Sequence, residues 1–246
     1  MKAKLILASA SARRSKILAT LGVVFEVIIP QVEEVIYACD ARRTAWENAA
    51  RKSAWCRTRY PDRHSLAADT LIEFEGRCIG KARTPEEAMT FLQMFSGATH
   101  RVFTAVAMTK APAEPELILV ESAVRFRKLS KEEIRAYVAG VNPMDRAGAY
   151  DIDEKGETLM DGYTGSRTNI MGLPAEVVLV WLKKEGLLCP PDVTPANADS
   201  SAIALATAKH PTSNPPTRSR FGGTGAELRM KSPVFSGKKH AFRCKH

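Results

Sequence analysis

The sequence predicts an α/β fold with a mixed sheet. Short apolar runs alternate with amphipathic stretches along residues 1–186, several helix starts carry recognisable caps, and two alternating runs near the middle read as a hairpin-like pair. Leu5-Ile6-Leu7 suits a central strand, and Ser9 or Ser11 caps the helix that follows. Ile17, Leu18 and Leu21 fall on one face of that helix, and Gly22 ends it. Backbone N–H groups left free at a helix N-terminus attract phosphate, and the guanidinium forks of Arg13 and Arg14 match phosphate oxygens two at a time. The segment reads as an anion site; taken alone, it fits an ordinary capped helix with two solvated arginines equally well.

Val23 to Ile29 reads as a strand stopped by Pro30, which delivers Glu33-Glu34 to a loop. A helix from Thr44 to Arg59 follows, ended by Tyr60-Pro61-Asp62. Ser65-Leu66-Ala67-Ala68 is a short strand closing at Asp69-Thr70, and Leu71 to Phe74 leads to a turn at Glu75-Gly76. Gly80-Lys81 stands before Thr84-Pro85-Glu86-Glu87, an N-cap with proline at the first helical position and acids in the first turn. That helix runs from Glu86 to Phe95 and stops at Ser96-Gly97. His100 to Met108 and Leu117 to Phe126 alternate as strands, and Ser130 caps a helix reaching about Val138. Ala147 to Tyr150 opens a Gly-rich region, and Gly172-Leu173-Pro174 introduces a last helix with Val177, Val178, Val180 and Trp181 toward the core.

The chain has 246 residues, 45% of them hydrophobic, which is enough for a sizeable core. Its formal net charge is +9, but residues 187–246 hold nine Lys/Arg against three Asp/Glu, leaving only +3 on residues 1–186. That distribution gives little reason to expect specific nucleic-acid binding and suits a polyphosphate substrate equally. Seven of the fourteen prolines lie beyond Gly186 without any hydrophobic period, so the expectation is a folded domain over 1–186 and a disordered basic tail over 187–246. Cys189, His210, His240, Cys244 and His246 fit no zinc spacing. The five cysteines are scattered, with no Cys-x-x-Cys pair, and read as free thiols. The apolar stretch after Met1-Lys2-Ala3-Lys4 is too short for a signal peptide, and no apolar run approaches a membrane span. A cytoplasmic protein without a membrane partner is expected.

Several separated motifs, in order, make the chain resemble the Maf family of nucleoside triphosphate pyrophosphatases. They are Leu7-Ala8-Ser9-Ala10-Ser11-Ala12-Arg13-Arg14, Val32-Glu33-Glu34, Lys52, Ala68-Asp69-Thr70, Gly80-Lys81, Leu92 to His100, Asp145 to Tyr150, and Gly172-Leu173-Pro174. The resemblance covers about residues 4–184. It implies an elongated mixed central sheet flanked by helices, with two lobes around a cleft as in inosine triphosphatases, and a homodimer. It further implies cleavage of dTTP or UTP between the α and β phosphates. Asp69 would be the general base, Lys52 and Lys81 would cradle phosphates, and Ser9, Ser11, Arg13, Arg14, Thr70 and Asp153 would bind substrate. Glu34 and Asp69 would hold Mg²⁺ or Mn²⁺, oxygen ligands being what hard divalent ions prefer.

The chain departs from the family pattern at four places. Ala12 and Ala82 replace prolines, Arg146 replaces a lysine, and Asp153 stands where the dTTP/UTP branch has glutamine. A carboxylate only accepts hydrogen bonds where an amide also donates; an acidic residue at this position resembles the family branch that hydrolyses 7-methyl-GTP, and the resemblance thus implies that substrate as an alternative. A weakly active nucleotide-binding regulator linked to septum formation is a further alternative. His100 is expected to stabilise its loop rather than react.

Overall fold

A computed structural model describes residues 4–110 and 112–189. The expected tail therefore lies outside the described residues from 190 onward. Within them, strands β1 (Leu5–Ala8), β2 (Phe25–Val27), β3 (His64–Phe74), β4 (Arg77–Ile79), β5 (Thr99–Thr109), β6 (Glu116–Phe126) and β7 (Met160–Thr164) form one sheet. The order is β2-β1-β3-β5-β6-β7, with β4 paired to β3. β1 runs parallel to both β2 and β3, and the remaining pairs are antiparallel. The sheet is mixed, as the alternation of strands and helices implied.

Period-2 alternation divides the core. Leu5, Leu7, Leu66 and Ala68 face α1 (Ala12–Thr20) and α6 (Ala175–Lys184), whereas Ile6, Ala8, Ala67 and Leu71 face α2 (Ala41–Arg59). A third cluster joins Ile72, Val102 and Phe126 to α3 (Pro85–Phe95) and α4 (Lys131–Val141) at the other end of the long strands. The cleft lies between these two ends.

Local chemistry explains most helix ends. Ser11 caps α1, accepting from the Arg14 amide, and Thr84 caps α3 with Pro85 at its first position. Ser130 and Glu133 form a reciprocal capping box on α4, worth about 1 kcal/mol. α2 starts three residues earlier than Thr44, because Asp40 supplies the cap by accepting from the Arg43 amide. On α6 the inward face is Val178, Trp181 and Leu182; Val180, expected toward the core, is 68% exposed, being placed one position off the buried row. Each of the buried large side chains contributes roughly 2 kcal/mol. Leu187 and Leu188 pack back on this face, Leu188 bridges Val23, and the Cys189 amide donates to the Gly22 carbonyl at 2.8 Å.

Candidate functional site

β1 stops at Ala8, opposite Ala67, and β3 continues without a neighbour on that side until β4 pairs with it from Ile72. The next residues are Asp69 and Thr70. Successive side chains leave a strand on opposite faces, so Asp69 meets α2 with Ala67 and Leu71, and Thr70 meets α1 with Ala68. The expected strand end at Asp69 is thus corrected. Asp69 sits mid-strand because β5 still pairs antiparallel with β3 from Ser65 to Glu73. What ends there is the parallel neighbour, and the gap it leaves opens a cleft of about 490 Å³.

The Asp69 carboxylate is 7% exposed and held from two sides of one helical turn. Lys52 donates from Nζ to Oδ1 at 2.8 Å, and Asn48 donates from Nδ2 to Oδ2 at 3.2 Å. Residues four apart share a helix face, so α2 presents both groups inward from its alanine-rich side. The Lys52 ammonium also meets Glu34 Oε1 at 2.7 Å. Asn48 completes its hydrogen bonding on the same loop, donating to the Val35 carbonyl at 3.0 Å and accepting from the Val35 amide at 2.9 Å. Burial alone would raise the Glu34 carboxyl, but its hydrogen bond to Lys52 and the charges of Lys52, Lys81 and Arg14 hold it below the ordinary range.

On the other face, Arg14 is fixed by three acceptors. Its Nε donates to the Gly172 carbonyl at 2.8 Å, one terminal nitrogen to Ser9 Oγ at 3.2 Å and the other to Thr70 Oγ1 at 3.0 Å. Gly172 has φ +105, and a Cβ there would sit 3.3 Å from Thr70 Oγ1 and 3.6 Å from Arg14 Nε, so the close approach requires glycine. Burial pushes the Arg14 guanidinium down from its usual value, with Asp69 opposing the change. Ser9 Oγ also accepts from the Ser11 amide at 3.1 Å.

Lys81 is exposed and reaches the cleft from the opposite lobe. Its segment is anchored by a bridge between Lys81 and Ala147 and by the Gly148 amide, which donates to the Gly80 carbonyl at 2.8 Å. Arg13 lines the same wall and donates to Asp151 Oδ2 at 3.1 Å. Asp151 is 3% exposed, and Arg146 Nε donates to the same oxygen at 2.7 Å. Burial would raise the Asp151 carboxyl, but Arg146, the Asp153 amide and Arg13 hold it below the ordinary range.

Ser9, Ser11, Arg13, Arg14, Glu34, Lys52, Asp69, Thr70 and Lys81 all line one cleft. Asp153 does not. Its amide donates inward to Asp151 Oδ1 at 2.9 Å, which turns its own carboxylate outward to an ion pair with Arg167 on the short helix α5 (Arg167–Ile170). His100 is also outside the lining. It is 1% exposed, hydrogen-bonded through Nε2 to the Tyr150 hydroxyl at 2.9 Å and stacked on Phe95, and burial pushes it down to about 3. Sequence reasoning missed Asn48 and Asp151. Asn48 had a signal, a polar residue one turn before Lys52 on an alanine-rich face; Asp151 had only its position beside the Asp145 to Tyr150 motif.

Among the described residues no three His, Cys, Asp or Glu side chains gather as a metal cage. Glu34 and Asp69 nonetheless converge on one cationic nitrogen. Two carboxylates suffice for Mg²⁺, which keeps several waters and uses substrate phosphates as further ligands. The donor set fits such an ion.

Four cations and three carboxylates lining one cleft at the end of a short parallel strand define an α/β protein built to hold a polyanion. The chain belongs to the Maf-like protein family, whose model matches residues 4–185. It is 40% identical over 177 residues to the dTTP/UTP pyrophosphatase of Moorella thermoacetica, covering 70% of this chain and 89% of that protein. The Myxococcus xanthus dTTP/UTP pyrophosphatase is 38% identical over 187 residues, covering 76% of this chain and 94% of that one. Among solved structures, the Staphylococcus aureus Ham1 protein aligns over 74% of this chain and 98% of its own with a TM-score of 0.45 and 14% identity.

Proposed function

We propose that this chain hydrolyses nucleoside triphosphates, dTTP and UTP foremost, to the monophosphate and pyrophosphate. The observation that carries the reading is one buried carboxylate, Asp69, oriented by Asn48 and Lys52 inside a ring of Arg13, Arg14, Lys52 and Lys81. The relatives named above as dTTP/UTP pyrophosphatases support the substrate.

In this mechanism a water attacks the α phosphorus, Asp69 takes its proton, and the bond to the β-phosphate oxygen breaks as pyrophosphate leaves. Asn48 and Lys52 hold both Asp69 oxygens, so the base needs no reorientation. Arg14 has spent three donors on protein acceptors, which leaves two N–H groups of a fixed fork for phosphate oxygens. Lys52 and Lys81 act as point charges from opposite lobes, and the Ser9 and Ser11 hydroxyls with the amides opening α1 complete the cradle. Mg²⁺ or Mn²⁺ on Glu34 and Asp69 would supply charge neutralisation of the phosphates. The pairing of Asp153 with Arg167 favours the pyrimidine triphosphates over the 7-methyl-GTP alternative in this reading. A cytoplasmic homodimer, with neither nucleic acid nor membrane as partner, belongs to the same proposal: the dimer rests on the resemblance, the rest on the scattered cysteines, the short apolar runs and the charge distribution of the sequence. No helix among the described residues is long and apolar enough to cross a membrane.

The test is product analysis over a panel of dTTP, UTP, dCTP, the purine triphosphates and 7-methyl-GTP, with Mg²⁺, Mn²⁺ or chelator. Monophosphate and pyrophosphate from dTTP and UTP, lost with chelator, are expected. Orthophosphate as the released product, or no turnover, overturns the reading, and fastest turnover of 7-methyl-GTP overturns its substrate part alone.

A further inference from the structure

Asp151 is a buried carboxylate behind Arg13, which lines the cleft, and its side chain is enclosed by groups that each have another task. Oδ2 accepts from Arg13 at 3.1 Å and from Arg146 Nε at 2.7 Å, and Oδ1 accepts from the Asp153 amide at 2.9 Å. Its own amide donates to the Tyr137 hydroxyl at 2.9 Å, which ties the segment to α4. Gly156 packs so closely that a Cβ there would come within 2.4 Å of the Asp151 carbonyl oxygen. Arg146, meanwhile, is spread over Asp145, Asp151 and Glu154, at 2.6, 2.7 and 3.0 Å.

Arg13 has no such enclosure. Its side chain is 24% exposed, its Nε is buried without a hydrogen-bond partner, and among the described residues Asp151 is its one carboxylate partner. An arginine side chain carries about 2 kcal/mol of rotamer entropy, which must be lost when the guanidinium settles on an anion. Asp151, itself immobilised on all sides, removes most of that freedom beforehand. Using a single Arg13 nitrogen, it leaves the remaining terminal N–H groups toward the cleft.

We infer that Asp151 is a positioning residue for substrate binding: it holds Arg13 preorganised at the cleft wall, so affinity for the triphosphate depends on Asp151 while the chemical step does not. The inference rests on the triphosphatase reading. Lost preorganisation appears as KM, and a base or charge acting on the transition state appears as kcat.

The experiment is a double-mutant cycle on dTTP hydrolysis by the full chain, with Tm recorded for every variant. Asp151→Asn keeps the shape and removes the charge; KM is expected to rise about tenfold with kcat within about twofold. Arg13→Ala is expected to raise KM at least as much, and adding Asp151→Asn to it to raise KM no further. Independent, multiplying effects, or an unchanged KM in Asp151→Asn, overturn the inference. Stranding Arg146 beside a neutral side chain destabilises the fold, so Asp151→Asn is also combined with Arg146→Gln. Positioning predicts that Tm recovers while KM stays raised; KM recovering with Tm overturns it. A wild type that turns over no triphosphate fails the functional reading instead. Calorimetric titration with pyrophosphate then decides, with about tenfold weaker binding by Asp151→Asn expected and equal binding overturning the inference.

Discussion

Lys52 and Asp69 are joined by a 2.8 Å hydrogen bond, both nearly buried, linking the middle of α2 to the middle of β3 at the floor of the cleft. The carboxylate oxygen is therefore already aimed before any substrate arrives. Replacing Asp69 with Asn keeps the shape and removes the proton acceptor. Turnover of dTTP is expected to fall by roughly 10²- to 10⁴-fold with triphosphate binding nearly intact. Retention of more than about a tenth of wild-type kcat would show that another group takes the proton.

Asp153 pairs with Arg167 and is not among the residues that line the cleft, an arrangement in which its carboxylate is not expected to read the base. Asp153→Gln is expected to leave the relative kcat/KM for dTTP, UTP and 7-methyl-GTP within about threefold of wild type, less than one lost polar pairing. A larger swing toward the pyrimidine triphosphates would place this side chain against the substrate after all.

Acid sensitivity should have an identifiable source in His100. Burial holds its folded pKa at about 3 against an ordinary 6.5, so between those values the unfolded chain binds a proton that the folded chain refuses. Stability is then constant above about pH 6.5 and falls as pH drops below it, by up to about 1.4 kcal/mol per pH unit. His100→Gln preserves a partner for Tyr150 and should flatten that slope in urea titrations between pH 7 and 4.5. Parallel losses in both proteins would assign the slope to other groups. Asp151 acts in the same direction but lower, because its depressed carboxyl loses its contribution only as pH falls through the folded pKa, below the ordinary carboxylate range.

Gly156→Ala tests the loop that carries Asp151. A Cβ 2.4 Å from a backbone oxygen cannot be relieved by turning a side chain, so the segment itself must move. A stability loss of about 1–3 kcal/mol, read as a lower urea midpoint, is expected, together with a raised KM. An unchanged midpoint would mean that the loop yields freely.

Two truncations separate the tail from the domain. Ending the chain at Cys189 should leave Tm and activity unchanged, because residues 190–246 carry no apolar period. Ending it at Gly186 should lower Tm, since Leu187 and Leu188 then leave the α6 face. Equal Tm for both would deny that packing.

The capped helices and alternating strands were legible because each is decided within a few residues. Ser130 and Glu133, or Thr84 and Pro85, meet their partners one turn away. β4, β7 and α5 were not read: β4 and β7 exist through pairing with β3 and β6, and α5 through Ser122 and Ser166 holding its start. The site shows the same division. Nine of the ten expected residues line the cleft, because motif order carried them; Asp153 failed because the direction of a side chain in a tight loop depends on distant partners, here Arg167 and Asp151. Asn48 left only a faint local trace and Asp151 none, because their importance lies in contacts 21 and 138 residues away in sequence.

β3 and β5 pass from one lobe to the other without a break, and Asp69 lies inside their nine-pair ladder, opposite Ala105. Opening the lobes like a hinge would mean tearing that ladder at its centre. The floor of the cleft is thus continuous hydrogen-bonded backbone, and Asp69 stands on a part of the sheet that both lobes share.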